Sequence, residues 1–150
     1  MFGKGEDVTL LNTLTTTLID SINGYRDAAA NSETGRFQQL FREMADERSM
    51  VAEDLRAEVR RLGGHPPEGG SLAGKTHQRW LDLKAAITGR DDKAIINEVE
   101  RGEDYLKGKF KSAVSSDDLS AESRTVVERA YQSVLKGHDK MSELKHSMEV

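Results

Sequence analysis

Apolar residues recur along this chain at helical intervals. Leu11, Leu14, Leu18 and Tyr25, widened by Leu10 and Ile22, form one face of a helix that Asp7 or Thr9 can cap and that runs to about residue 30. Phe37, Phe41, Met44, Val51, Leu55, Val59 and Leu62 follow at steps of three and four residues, which predicts a second helix over 33–62. That stripe is interrupted at its centre by Glu47 and Arg48. Leu72, His77, Trp80, Leu81, Lys84 and Ile87 mark a shorter helix over 71–88. Ile95, Val99, Leu106, Phe110 and Ala113 mark another over 91–114, opened by the N-cap pair Asp91-Asp92. The last begins at Ser120 and carries Val127, Tyr131, Val134, His138, Met141, Leu144 or Lys145, and Met148. No stretch alternates with the period of two that a strand requires.

The breaks between these stripes predict how they connect. Asn31-Ser32 and Ser115-Ser116-Asp117-Asp118 are short turns, so the helices on either side of each should be antiparallel neighbours. Gly63-Gly64 is a helix stop, and His65 to Gly70, which holds both prolines, is the one real linker. A helix over 71–88 spans roughly 25 Å, enough to return the chain to the end from which it started. The helices over 33–62 and 91–114 then run parallel. The expected fold is all-α, a ferritin-like four-helix bundle with a long helical crossover between helices two and three of the bundle, Trp80 packing beneath it.

The helix over 91–114 carries an anomaly. Gly102 lies on its apolar stripe, flanked by Glu100 and Glu103. A glycine inside a helix costs about 1 kcal/mol relative to alanine, and a carboxylate beside a buried seam costs more unless partnered. The expectation is a close helix–helix approach at Gly102, with Gly24 and Tyr25 as its neighbours.

Composition narrows the chemistry. The 150 residues are expected to form a single domain, 1–150, large enough for its own core. With no cysteine there are no disulfides, thiolate metal sites or cysteine nucleophiles. A net charge of −4, mixed along the chain, gives no footprint for nucleic acid or an anionic membrane. The N-terminus lacks the basic start and apolar run of a secretory signal, and no segment approaches the ~18 apolar residues of a membrane span, so a cytoplasmic protein is expected.

Candidate chemistry centres on carboxylates. Counting from the turns places Asp20, Glu47, Glu103 and Glu128 at one depth, where the alternative to a purely structural bundle is an iron or manganese site on Glu47, Glu103, Glu128 and His138. Metal centres in such bundles use Glu-x-x-His on two helices, and this chain has Glu47-x-x-Met50 and Glu128-x-x-Tyr131 instead. A thioether and a phenol replace imidazole poorly, so pairing of the carboxylates with Arg48 or Arg124 is the better expectation. His138 reads as a core histidine bonded to one carboxylate. Glu100 and Glu103 lack the oxyanion hole, nucleophile or phosphate loop that would make them an acid–base pair of an enzyme. His77 and Trp80 read as packing residues, His65 and His146 as surface residues. Lys107, Lys109, Lys111 and Arg101 form a basic patch diluted by neighbouring acids.

The combination of Asn23-Gly24-Tyr25-Arg26-Asp27-Ala28-Ala29, Leu62-Gly63-Gly64, Gly74 with Trp80, Glu100-Arg101-Gly102-Glu103-Asp104, Tyr131-Gln132 and His138-Asp139 resembles a bacterial domain-of-unknown-function family of ferritin-like four-helix-bundle proteins. The resemblance covers nearly the whole chain and implies the fold, not an activity. The expected function is non-enzymatic: a cytoplasmic bundle acting through self-association, as a dimer, or through a protein partner. The alternatives are the iron or manganese carboxylate site and, more weakly, ligand binding between helices around Gly24 and Gly102.

Overall fold

The computed structural model describes residues 4–31, 37–68 and 92–148. Among the described residues there are four helices and no strands: α1 (Lys4–Asn31), α2 (Gln38–Arg61), α3 (Asp92–Val114) and α4 (Ala121–Met148). The expected helix over 71–88, with His77 and Trp80, lies outside them. So do residues 33–36, where the second helix was expected to start. α1 begins at Lys4, earlier than the expected cap, which puts Asp7 inside its first turn.

α1 packs against α2 and α3, and α4 packs against α3 and α2, so α2 and α3 occupy opposite corners of the bundle. Side-chain contacts give the directions. Asp7, at the start of α1, accepts a hydrogen bond from the backbone N–H of Ser120, just before α4. Tyr25, near the end of α1, reaches Glu103 in the middle of α3. α1 and α3 are therefore antiparallel. Glu58, late in α2, meets Ser123 at the start of α4, and Glu47, earlier in α2, meets Ser133. α2 and α4 are thus antiparallel too, and α2 and α3 run parallel, as their stripes and turns predicted. It follows that α2 ends and α3 starts at opposite ends of the bundle.

The helix ends are fastened by local chemistry. After α2, Gly63 takes a φ of +84°, which lets Gly63 and Gly64 return hydrogen bonds of 2.9 Å to the carbonyls of Arg60 and Val59. Past α3, the Arg124 guanidinium donates to the backbone carbonyls of Val114 and Ser116, satisfying groups that the helix end leaves open. The Ser120 hydroxyl caps α4 by accepting from Ser123 N–H at 3.2 Å. Ser123 does not close a capping box; its own hydroxyl turns to Glu58 at 2.7 Å.

The core is one continuous apolar cluster contributed by all four helices. Phe41 is fully enclosed, with its ring 5.8 Å from that of Tyr25 and 6.0 Å from that of Phe37. Leu11, Leu14, Leu18, Leu55, Ile95, Leu106, Phe110, Val127, Val134 and Met141 fill the rest, as helical periodicity predicts. No helix among the described residues is long and apolar enough to cross a membrane.

Candidate functional site

Two charged side chains interrupt the apolar faces of their helices at the centre of the bundle. Arg48 of α2 and Glu103 of α3 are each 1 % exposed, and they meet diagonally across the centre of the bundle. Arg48 Nη2 lies 2.6 Å from Glu103 Oε1 and Nη1 lies 2.9 Å from Oε2, a two-pronged pair. Nη1 also donates to the Ser21 hydroxyl at 3.1 Å, and the Tyr25 hydroxyl donates to Glu103 Oε2 at 2.6 Å. α1, α2 and α3 therefore all contribute to one network, and α4 makes room for it. A Cβ placed on Gly137 would collide with Arg48 Nη2 and would come 2.8 Å from Met44 Cε. Gly137 lets the guanidinium press against the backbone of α4.

The electrostatics follow from burial and from these partners. Burial, and then the neighbouring Glu103 charge, push the Tyr25 phenol well above its ordinary value, with Arg48 acting in the opposite direction. Tyr25 is a fixed donor at neutral pH. For Arg48, burial pulls the guanidinium down, but the Glu103 charge and hydrogen bond more than offset it, leaving the group raised. Arg48 remains a cation. A carboxylate offers about four lone-pair sites, and three donors already reach that of Glu103. The cation that a buried carboxylate needs is supplied by the chain itself.

The residues proposed from sequence as a metal set lie in different surroundings. Glu103 is held by Arg48 and Tyr25. Glu47 is half-buried and accepts from Ser133 at 3.0 Å. Glu128 is exposed and lines an open groove with Val114, Thr125, Arg129, Tyr131 and Gln132. His138 places Nε2 2.6 Å from Asp104, with Asp139 at 3.5 Å from Nδ1. Glu100, considered as a partner for Glu103 in acid–base chemistry, is instead bonded by Lys145 at 3.1 Å. Among the described residues, no three His, Asp or Glu side chains are grouped so as to hold a metal ion.

The expectation at Gly102 is corrected. A Cβ there would meet nothing within 4 Å, so no helix among the described residues presses on it. The close approach is at Gly137, one residue before His138, and the residue of the Glu100–Asp104 run that reaches Tyr25 is Glu103. Sequence reasoning passed over Ser21 and Gly137 and placed Tyr25 among the core apolar residues. The available signal was Arg48, a guanidinium on an apolar stripe, which must meet a buried acid.

A second polar cluster closes the end of the bundle. Glu58 accepts from Ser123 and from Arg61, and Arg61 also pairs with Glu122 at 2.9 Å. The Arg61 hydrogen bond lowers the Glu58 pKa, outweighing the opposite effect of burial, and Ser123 adds to it.

A family model described as a domain of unknown function, DUF2383, matches residues 6–116. The matched stretch contains Ser21, Tyr25, Arg48 and Glu103, and ends before Gly137 and His138. No curated protein matches the chain.

Proposed function

We propose that this chain, which belongs to the DUF2383 family of unknown-function domains, is a non-enzymatic, ferritin-like bundle that acts by associating with a second copy of itself or with another protein. The observation that carries this reading is the central network: Arg48, Glu103, Tyr25 and Ser21 bind one another, and the guanidinium fills the space beside the carboxylate. Chemistry on a substrate needs an acid, base or nucleophile held free for it. The strongest such groups at the centre are occupied. The parallel course of α2 and α3 at opposite corners supports the ferritin-like assignment. The proposal includes a bacterial setting, for which the sequence resemblance is the support.

An iron or manganese centre on Glu47, Glu103, Glu128 and His138 is the competing proposal. It requires Glu103 to leave Arg48. One experiment addresses both: sedimentation equilibrium across micromolar concentrations, on protein treated with chelator and on protein incubated with Fe(II) or Mn(II), followed by metal analysis. Association that is indifferent to metal supports the first reading. A monomer at every concentration removes its self-association half, and stoichiometric metal that disappears in Glu103→Ala replaces it with the second.

A further inference from the structure

We infer that the bundle can be assembled from two chains as well as from one, with the α3–α4 hairpin of each copy docking onto the α1–α2 hairpin of the other. The inference rests on the self-association reading and names its surface: the face between the two hairpins. Each hairpin packs more extensively within itself than against the other. The polar contacts that cross between them are complementary. On one side stand Asp7, Tyr25, Glu47, Arg48, Glu58 and Arg61; on the other they meet the Ser120 N–H, Glu103, Ser133, Ser123 and Glu122. Such a face recognises its complement whichever chain supplies it.

The connectivity permits the exchange. Because α2 ends and α3 starts at opposite ends of the bundle, the connection between them is long enough to cover its length within one chain, and the same length is available to reach a partner bundle. Residues 62–68 stay on the first hairpin, with Asn12 donating to the His65 carbonyl and Arg56 to that of Pro67. The roughly 23 residues beyond them have a contour of about 80 Å, against about 35 Å for a helix the length of α3. A hairpin released from its own chain exposes an apolar face together with Arg48 or Glu103, a state too costly to persist, so it re-docks at home or on a second copy. Exchange preserves every contact of the face. The balance is then set by the effective concentration of the tethered hairpin, about millimolar or lower for a tether of this length, so exchanged dimer should grow as the refolding concentration rises toward that range.

The chain contains no cysteine, which gives a clean test. Full-length Glu47→Cys and full-length Ser133→Cys, distinguished by different mass tags, are unfolded in urea and co-refolded at increasing concentration. A short bismaleimide then bridges thiols that are side by side. Exchange predicts a dimer whose cross-link joins the position-47 thiol of one chain to the position-133 thiol of the other, at least tenfold above links between like chains. A dimer without that link overturns the exchange and leaves self-association standing. A monomer at every concentration overturns both. As an independent measure, Arg48→Glu and Glu103→Arg chains each place like charges at the centre when alone, whereas an exchanged 1:1 pair matches both centres. Mixing should recover helical signal and a 1:1 dimer that neither variant forms. If the variant carrying both changes in one chain folds while the mixture yields no such dimer, the exchange is refuted.

Discussion

Replacing Arg48 by methionine removes the cation from Glu103 and leaves the chain length and much of the buried volume in place. Arg48 and Glu103 are each 1 % exposed, so solvent cannot take over the missing contacts. Breaking a buried pair from one side costs about 3–5 kcal/mol, because the charge left behind is uncompensated. Glu103→Leu breaks it from the other side and should cost a similar amount. The double variant Arg48→Met/Glu103→Leu removes both charges, and apolar replacement of a buried pair is often neutral or stabilising. What it leaves is the Tyr25 hydroxyl, buried and without its acceptor, at about 1–3 kcal/mol. The double variant should therefore lie within about 2 kcal/mol of the wild type, less damaged than either single, with a coupling of at least about 3 kcal/mol. Adding Tyr25→Phe should recover most of the remaining loss. Urea unfolding followed by circular dichroism at pH 7 measures all of these, and for a 150-residue chain each single should lower Tm by about 6–20 °C. If the double variant is as unstable as the sum of the singles, Arg48 and Glu103 do not act as a pair and the account of the centre is wrong.

Other expectations follow from neighbouring geometry. Gly102→Ala meets open space and should gain up to about 1 kcal/mol of helix propensity, whereas Gly137→Ala should lose about 1–3 kcal/mol net by displacing Arg48, a loss that should shrink in an Arg48→Met background. Equal effects at the two glycines in thermal melts would contradict this. Tyr25 has a folded pKa above its unfolded value near 10, so stability should hold up to that pH and fall above it, and Tyr25→Phe should flatten that decline in a pH series of melts. Glu58 has a folded pKa below the ordinary 4.5, so its contribution is present above that pH and is lost as the medium becomes more acidic; Glu58→Gln should make the acid limb shallower. Since Glu103 already has its cation, chelator and added Fe(II) or Mn(II) should leave the wild-type Tm unchanged, and a rise with metal concentration would count against the network as drawn.

The fold was legible because a stripe's period reports an element directly and because turn lengths restrict topology. The spacing of Leu11, Leu14 and Leu18 or of Ile95, Val99 and Leu106 needs no knowledge of a partner, and two tight turns separated by a long connection leave little choice for α2 and α3. The site was less legible because it depends on how each helix is rotated. Glu47 and Arg48 are about 100° apart around the helix axis, and that rotation decides which faces the centre and which faces Ser133. The glycines were harder still. Gly102 and Gly137 are both helical, and only the distance to a neighbouring helix separates an open position from a required one. One inference was nonetheless within reach. The absence of imidazole at both Glu-x-x positions does not remove the cost of burying Glu103; it transfers the demand for positive charge to another residue on an apolar stripe. Arg48 was the one guanidinium interrupting the stripe of the second helix. It meets that demand, since the Arg48 side chain supplies at Glu103 the positive charge that would otherwise have to come from outside the protein.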